Sequence, residues 1–263
     1  MSEIKTVLQA NEISIVFGGL TAVSHFSCEL KEGELVGLIG PNGAGKTTIF
    51  NMLSGVYTPT SGQITFMDRN DKVRIINKKS PAQLNKLGIA RTFQNIRLFN
   101  SQTVADNVRI ALHNQRIVNP LDVLFRTPKF RRDEKLMDEK VNELLEILKI
   151  SNKKYELASN LPYGEQRKLE IARALASNPK LLLLDEPAAG MNPQETEELR
   201  QMIELIRKHF HLTVLLIEHD MKFVMQICER IMVLDYGRII AEGLPEEIKK
   251  NPDVIKAYLG SEA

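Results

Sequence analysis

The chain has 263 residues and a formal net charge of +2, with 43% hydrophobic and 26% charged residues. This composition is typical of a soluble globular protein with one domain, or with a domain and a subdomain. The small net charge does not indicate a nucleic-acid or anionic-membrane surface. No apolar run approaches the roughly 20 residues that a membrane-crossing helix needs. The N-terminus has no signal-peptide pattern.

The first third of the chain is predicted to contain strands with tight connections. Residues 11–17 (NEISIVF) alternate with the period of two that a half-buried strand shows, and residues 34–39 (ELVGLI) form a short buried strand. Residues 45–54 (GKTTIFNMLS) are compatible with a helix. A turn-rich loop at 56–62 leads to a further strand, QITFM.

The middle of the chain, from about Ile96 to Asn160, is predicted to be helical and more polar. Residues 133–150 place apolar side chains at helical spacing, namely Leu136, Val141, Leu144, Leu145 and Leu148. Residues 113–132 carry basic and aromatic residues and two prolines. We interpret them as a peripheral loop and short helix rather than a lipid- or nucleic-acid-facing patch, because the basic run is only a few residues long.

The last third alternates apolar runs with helical segments. The runs are LLLLD at 181–185, TVLLIE at 213–218 and RIMVLD at 230–235. A largely parallel sheet covered by helices needs this alternation. Cys28 and Cys228 stand in apolar surroundings, which predicts packed, reduced thiols.

Residues 40–48 read GPNGAGKTT and fit the phosphate-binding pattern G-x-x-x-x-G-K-[ST] between a strand and a helix. The glycines let the backbone curl so that its amides point at phosphate oxygens, and the following helix adds its positive end. Lys46 is predicted to reach the β- and γ-phosphates, and the Thr47 hydroxyl to bind Mg²⁺.

Asp185 and Glu186 follow four leucines, and a buried strand has no packing reason to deliver two carboxylates at its end. We assign Asp185 to Mg²⁺, through a water molecule, and Glu186 to the attacking water as general base. The competing interpretation makes Asp185 a helix cap. Together the two motifs, known as Walker A and Walker B, predict a P-loop nucleotide hydrolase.

Over nearly its whole length the chain resembles the nucleotide-binding subunit of an ABC transporter. The resemblance implies an α/β fold, the P-loop core of the ABC-ATPase type, with a mostly parallel sheet, helices and an N-terminal antiparallel β region. It implies one domain, made of a core at 1–95 and 166–263 and an inserted helical subdomain at 96–165. ATP and Mg²⁺ are the implied ligands.

The resemblance also implies roles for single residues. Phe17 matches the aromatic that stacks on adenine, Gln94 the glutamine that links metal and attacking water to the helical subdomain, and His219 the switch histidine at the γ-phosphate. The implied catalytic residues are Glu186, His219, Gln94 and Lys46, and the implied metal ligands are Thr47, Gln94 and Asp185. The implied ATP-binding residues are Phe17, Gly40, Pro41, Asn42, Gly43, Ala44, Gly45, Lys46, Thr47, Thr48 and Gln94.

Residues 161–175 (LPYGEQRKLEIARAL) occupy the place of the family's signature loop, Leu-Ser-Gly-Gly-Gln, and its helix. Pro162 stands for Ser, Tyr163 for the first Gly and Glu165 for Gln, while Gly164 is kept. The family implies that Tyr163, Gly164 and Glu165 contact ATP held by the partner subunit. Since Lys46 and the other catalytic residues are present, we predict a loop that is altered but working.

The altered loop is similar to that of ATPases from branched-chain amino acid importers, of the longer, insert-bearing type. The segments EPAAGMNP at 186–193, GIARTFQNIRLF at 88–99 and AYLG at 257–260 indicate the same branch. A lipopolysaccharide-export ATPase, the nearest alternative, is expected to have an unmodified loop and Asp at position 192, which here is Asn. A non-transport ABC ATPase would carry tandem cassettes or a long coiled coil.

The resemblance implies partners as well. We expect a second ABC ATPase subunit, identical or not, integral-membrane permease subunits and, indirectly, an extracytoplasmic substrate-binding protein. No nucleic-acid partner is expected. The predicted location is cytoplasmic, peripheral on the inner face of the cell membrane.

Overall fold

A computed structural model of the chain describes residues 5–113 and 127–259. Contacts divide the chain into two compact units, a core unit (Met1–Gln94 and Lys180–Ala263) and a helical unit (Asn95–Pro179). The first boundary lies one residue from the predicted one. The second differs from the predicted 165/166, because the helix that begins at Tyr163 belongs to the helical unit as a whole.

The described part of the core unit contains two sheets. The first is antiparallel, with strand order β2-β1-β4-β5. Its strands are β1 Thr6–Phe17, β2 Leu20–Lys31, β4 Ser61–Met67 and β5 Val73–Ile75. The second has the order β10-β9-β3-β8-β7-β6 and is parallel except for β10. Its strands are β3 Leu35–Ile39, β6 Ile89–Arg91, β7 Leu181–Asp185, β8 Thr213–Ile217, β9 Arg230–Asp235 and β10 Arg238–Gly243.

The strand order of the parallel sheet brings distant parts of the sequence to one edge. Every residue of β3, β7 and β8 is buried, as expected of strands covered on both faces. Strand β8 lies between β3 and β7 and is parallel to both. The loop that follows Ile39 and the carboxylate of Asp185 therefore lie at the same end of the sheet, where these parallel strands have their carboxyl ends.

The helices follow in chain order. They are α1 Lys46–Leu53, α2 Pro81–Leu87, α3 Val104–His113, α4 Pro128–Ile147, α5 Tyr163–Ala176, α6 Pro193–Phe210, α7 Met221–Ile227, α8 Pro245–Ile248 and α9 Pro252–Leu259. Asn192 explains where α6 begins, since it accepts the Glu195 amide while the Glu195 carboxylate accepts the Asn192 amide, both at 3.0 Å.

Helices α3, α4 and α5 belong to the helical unit. The predicted apolar face of α4 is buried at Val141, Leu144, Leu145 and Leu148. The prediction was wrong for Leu136, which is 54% exposed, because the buried stripe continues through Met137 instead. Of the predicted peripheral segment 113–132, residues 114–126 lie outside the described residues, and Thr127 caps the start of α4.

Cys28 and Cys228 are both buried and unpaired with each other, so the prediction of packed thiols is confirmed. Burial raises the pKa of the Cys28 thiol to about 12. No helix within 5–113 or 127–259 is both long enough and apolar enough to cross a bilayer.

Candidate functional site

The loop between β3 and α1 is shaped by glycines with positive φ, 151° at Gly40, 79° at Gly43 and 104° at Gly45. A Cβ at Gly40 would lie 2.0 Å from the Leu234 carbonyl oxygen, so this position admits no side chain. A Cβ at Gly43, by contrast, would meet no atom within 4 Å. The loop therefore packs against the backbone of β9 at Gly40 and has open space around Gly43.

The N-terminus of α1 is available to an anion. Gly45 caps the helix without a side-chain hydrogen bond, and the first turn contains no acidic residue. The first amides of a helix have no partner inside it and carry the positive end of its dipole. Asn42, Gly43 and Thr47 are exposed, whereas Thr48 is half-buried. A cavity of about 610 Å³ adjoins the loop at Pro41, Asn42, Gly43 and Ala44.

Lys46 lies inside this loop and is 5% exposed. Its Nζ donates to the carbonyl oxygens of Gly40 at 2.6 Å and Pro41 at 2.8 Å. Burial lowers the pKa of the Lys46 ammonium, and the nearby Glu186 carboxylate opposes that shift. Two of its three N–H groups are thus used within the described loop, which leaves the third for a ligand.

Glu186 is held between two of the other predicted catalytic side chains. Its Oε1 lies 2.6 Å from His219 Nε2, and its Oε2 accepts a hydrogen bond from Gln94 Nε2 at 2.7 Å. Its φ of 45° is unusual for a residue with a side chain, and its amide donates to the Ile217 carbonyl at 2.9 Å. Backbone strain of this kind concentrates at functional sites. The structure therefore assembles Gln94, Glu186 and His219 from three separate segments.

Phe17 ends β1 with 43% of its surface exposed. The Tyr57 ring packs against it edge to face, with centroids 5.3 Å apart and planes at 70°. A half-exposed ring offers a surface on which a nucleobase can stack.

The signature segment forms the start of α5 in the helical unit. The helix begins at Tyr163, within the signature motif, and Pro162 supplies no side-chain cap. Arg167 is fully buried and donates through Nη2 to the Tyr163 hydroxyl at 3.1 Å and through Nη1 to Glu170 at 2.7 Å. Tyr163 is thereby anchored to its own helix. Glu165 lies in the first turn.

Comparison with known families decides the assignment. Residues 23–189 match the model of the ABC transporter family. The chain belongs to this family. Its residues 238–263 also match the model described as branched-chain amino acid ATP-binding cassette transporter.

The ABC relatives match almost end to end. LivG of Salmonella typhimurium, a high-affinity branched-chain amino acid transport ATP-binding protein, is 48% identical over 254 residues, which cover 97% of this chain and 98% of LivG. BraF of Pseudomonas aeruginosa, described in the same words, is 44% identical over 256 residues, with 97% and 98% covered. The crystal structure of an ABC transporter's ATP-binding cassette in its ADP conformation superposes with a TM-score of 0.82 at 30% identity, covering 97% of this chain and 99% of that one.

These findings confirm the ABC-ATPase fold, the enzyme class and the resemblance to ATPases of branched-chain amino acid transporters, here of the LivG type. Nucleotide binding follows from membership of the ABC family. Mg²⁺ and the roles of single residues stay predictions.

Two charged residues of this ABC site with largely buried side chains were missed from the sequence, Glu218 and Arg91. Glu218 is 3% exposed and accepts the amides of Ala188 at 2.7 Å and His219 at 3.1 Å, so it joins the turns that follow β7 and β8. Burial raises the pKa of its carboxyl group. The signal was present, since Glu218 directly follows an apolar strand just as Glu186 does.

The residues predicted to hold Mg²⁺ are oxygen donors. Asp185 is buried at the end of β7, and the Thr47 hydroxyl is exposed in the first turn of α1. Within 5–113 and 127–259 no group of three or more His, Cys, Asp or Glu side chains could hold a metal ion without further ligands. Mg²⁺ is commonly bound by one or two carboxylates plus substrate phosphates. The residues present therefore fit an ion that arrives with a nucleotide.

Proposed function

We propose that the chain is the ATP-hydrolysing subunit of an ABC importer and energises the uptake of branched-chain amino acids, leucine, isoleucine and valine. The observation that carries the hydrolytic role is the position of Glu186, hydrogen-bonded on both carboxylate oxygens by Gln94 and His219. The likeness to LivG and BraF supports the substrate class.

In the proposed reaction the core unit binds ATP first. The amides of residues 40–48 and the positive end of α1 hold the phosphates, and the third N–H of Lys46 adds a charged hydrogen bond. Phe17 would stack on the adenine. Thr47, Asp185 and the Gln94 amide oxygen would hold Mg²⁺, which neutralises phosphate charge when it is bound.

Glu186 then serves as general base. A water oxygen attacks the γ-phosphorus, the bond from that phosphorus to the β,γ-bridging oxygen breaks, and the water proton passes to Glu186, giving ADP and phosphate. Gln94 keeps one carboxylate oxygen oriented through its N–H donor, and His219 contacts the other. Because these contacts fix the carboxylate before the reaction, little reorganisation is needed during it.

The proposal includes partners. Tyr163, Gly164 and Glu165 would face ATP held by a second ABC ATPase subunit, and the helical unit would contact membrane permeases that receive substrate from an extracytoplasmic binding protein. The chain would then act on the cytoplasmic face of the membrane. Support comes from the branched-chain family match at residues 238–263 and the helix N-terminus at Tyr163.

The test of the hydrolytic role is Glu186→Gln in the transporter assembled with its co-purified permeases. The amide keeps the shape but cannot accept the proton, so we expect steady-state ATP hydrolysis to fall by a factor of about 10² to 10⁴ while ATP affinity is retained. Glu246→Gln, an exposed carboxylate on α8, is the matched control and should keep the parent rate. Hydrolysis by Glu186→Gln at the parent rate would show that the base is another group.

The substrate class is tested separately, by uptake of labelled leucine, isoleucine and valine into vesicles that carry the assembled transporter. We expect uptake that requires ATP. ATP-dependent uptake of another solute with none of these three would contradict the assignment.

A further inference from the structure

Arg91, the last residue of β6, is a cation whose side chain is largely buried beside the nucleotide site. Its side chain is 8% exposed, and its Nη2 donates to Asp185 Oδ2 at 2.7 Å. Its Nη1 donates to Asn51 Oδ1 at 2.8 Å and to Ser54 Oγ at 2.7 Å. One guanidinium therefore joins strand β7 to helix α1.

Stability alone does not account for this arrangement. Removing two charges from water costs several kcal/mol for each ion, and a buried ion pair often does no better than apolar side chains of similar volume. The guanidinium also lies within cation–π distance of two rings, 5.1 Å from the Phe93 ring centroid and 5.6 Å from that of Phe50. The planar fork of donors is what an apolar residue could not supply.

The groups that Arg91 contacts belong to the elements that carry the predicted Mg²⁺ ligands. Asn51 and Thr47 are four residues apart on α1 and so lie on the same face of the helix. Asp185 ends β7, and of its two carboxylate oxygens Arg91 engages Oδ2. Of the described residues, none donates a hydrogen bond to Oδ1.

We propose that Arg91 is a positioning residue of the Mg²⁺ site, which fixes the Asp185 carboxylate against the face of α1 that bears the Thr47 hydroxyl. It acts through Asp185 and α1 and does not itself touch the metal. This inference rests on the proposed function, because it presumes that the site binds ATP with Mg²⁺.

Arg91 has two opposing effects on Mg²⁺ affinity, so the direction in which this affinity changes on removal of Arg91 tests the inference. A cation next to a metal ligand repels Mg²⁺, so removal of Arg91 would strengthen Mg²⁺ binding if charge repulsion outweighed orientation of the carboxylate. If orientation outweighs repulsion, removal of Arg91 weakens Mg²⁺ binding. Hydrogen-bonded partners of metal ligands typically contribute about 10- to 100-fold in metal affinity, which favours orientation.

The experiment measures ATP affinity of the full chain by calorimetry, once with Mg²⁺ and once with EDTA, for the parent and for Arg91→Met, Arg91→Lys and Asn51→Ala. The Mg²⁺ dependence is the ATP affinity with Mg²⁺ divided by the ATP affinity with EDTA. We expect Arg91→Met to reduce this ratio about tenfold or more and to leave the EDTA affinity near that of the parent. Arg91→Lys, which keeps the charge but not the fork, should restore part of the ratio. Asn51→Ala should reduce the ratio less.

Arg230→Met is the matched control. Arg230 forms an ion pair with Glu34, with an N–O distance of 2.7 Å, and this pair lies away from the nucleotide loop. This variant should lower the melting temperature and leave the ratio unchanged. If Arg91→Met does not fold, Asn51→Ala decides the question, because it removes the hydrogen bond from Arg91 to α1 and leaves the Arg91–Asp185 ion pair in place. An unchanged or larger ratio in Arg91→Met, or in Asn51→Ala where Arg91→Met does not fold, would overturn the inference. Absence of ATP binding by the parent chain would instead overturn the proposed function and this inference with it.

Discussion

The N-termini of α1 and α5 are two predicted phosphate contacts built from the same element with different chemistry. Both helices begin without a side-chain cap. The first turn of α1 contains Lys46 and no acid, whereas that of α5 contains Glu165 and no Lys or Arg. A helix N-terminus attracts anions, but a carboxylate in the first turn already satisfies part of that attraction. We therefore expect the α1 terminus to hold phosphate by itself, and the α5 terminus to add to phosphate that is held elsewhere.

The glycines of the two regions serve different purposes. Gly40 is required by its backbone angle and by the Leu234 carbonyl that its Cβ would strike. Gly164 lies in the first turn of a regular helix, a conformation that any residue adopts. Its predicted role there is to leave space for a close approach by the ligand. Substitutions in the two loops should consequently fail in different assays.

Lys46→Ala should have the largest effect. It removes the cation of the α1 loop and leaves the Gly40 and Pro41 carbonyls without their donor, so we expect loss of hydrolysis and weakened ATP binding in the isolated chain. Calorimetry with Mg²⁺ measures the binding, and Lys208→Ala, an exposed lysine on α6, is the control. Unchanged ATP affinity in Lys46→Ala would remove the distinction between the two helix termini.

Gly164→Asp should abolish ATP hydrolysis in the assembled transporter without affecting ATP binding to the isolated chain. A second carboxylate in the first turn of α5 would press against the phosphate of the partner's ATP, so ATP-dependent pairing and hydrolysis should be lost. ATP binding to the isolated chain should remain, because that site lies in the core unit. Gln201→Asp, at an exposed position on α6, introduces the same charge as a control. Near-normal ATPase activity of the reconstituted Gly164→Asp transporter would mean that the α5 terminus has no role at phosphate.

The sequence predicted the elements of the site better than the contacts between them. The buried strands and the glycine loop follow from local patterns, and so do the carboxylates at 185 and 186. The Arg91–Asp185 contact joins residues 94 positions apart and depends on β6 lying next to β7, which no local pattern specifies. The Tyr163–Arg167 contact is local, but no sequence pattern indicates that this arginine is buried.

Two details of the helical unit differ from the prediction. Met137 precedes Val141 by four residues and Leu136 precedes it by five, so the helical period itself selects Met137 for the buried stripe, and the error for Leu136 came from applying that period too loosely. The predicted boundary at 165/166 fell inside α5 because it followed the signature motif. A helix packs as one rigid element, and the division by contacts comes after it, at Pro179.

Phe17→Ala should have a moderate effect and tests whether the core unit holds the nucleotide base by itself. We expect ATP binding to the isolated chain to weaken by about 1–3 kcal/mol, the range of base–aromatic stacking. Because Phe17 is 43% exposed, the melting temperature should change little. Phe26→Ala, at a fully buried position, should instead lower the melting temperature strongly. The reverse pattern would make Phe17 a packing residue.

Tyr163→Phe should have the smallest effect and sharpens the account of α5. The hydroxyl is bound to Arg167, whose other end holds Glu170, so its loss removes an internal contact worth about 1 kcal/mol and changes no phosphate contact. We expect nearly normal ATPase activity in the reconstituted transporter and a slightly lower melting temperature. The pair Pro162→Ser with Tyr163→Gly should be tolerated for the same reason, because the backbone amides remain. If Tyr163→Phe abolishes hydrolysis while ATP binding and melting stay normal, the tyrosine hydroxyl itself contacts the partner's phosphate. The amides would then not be the groups through which this helix acts, and the contrast between the two termini would lie in side chains.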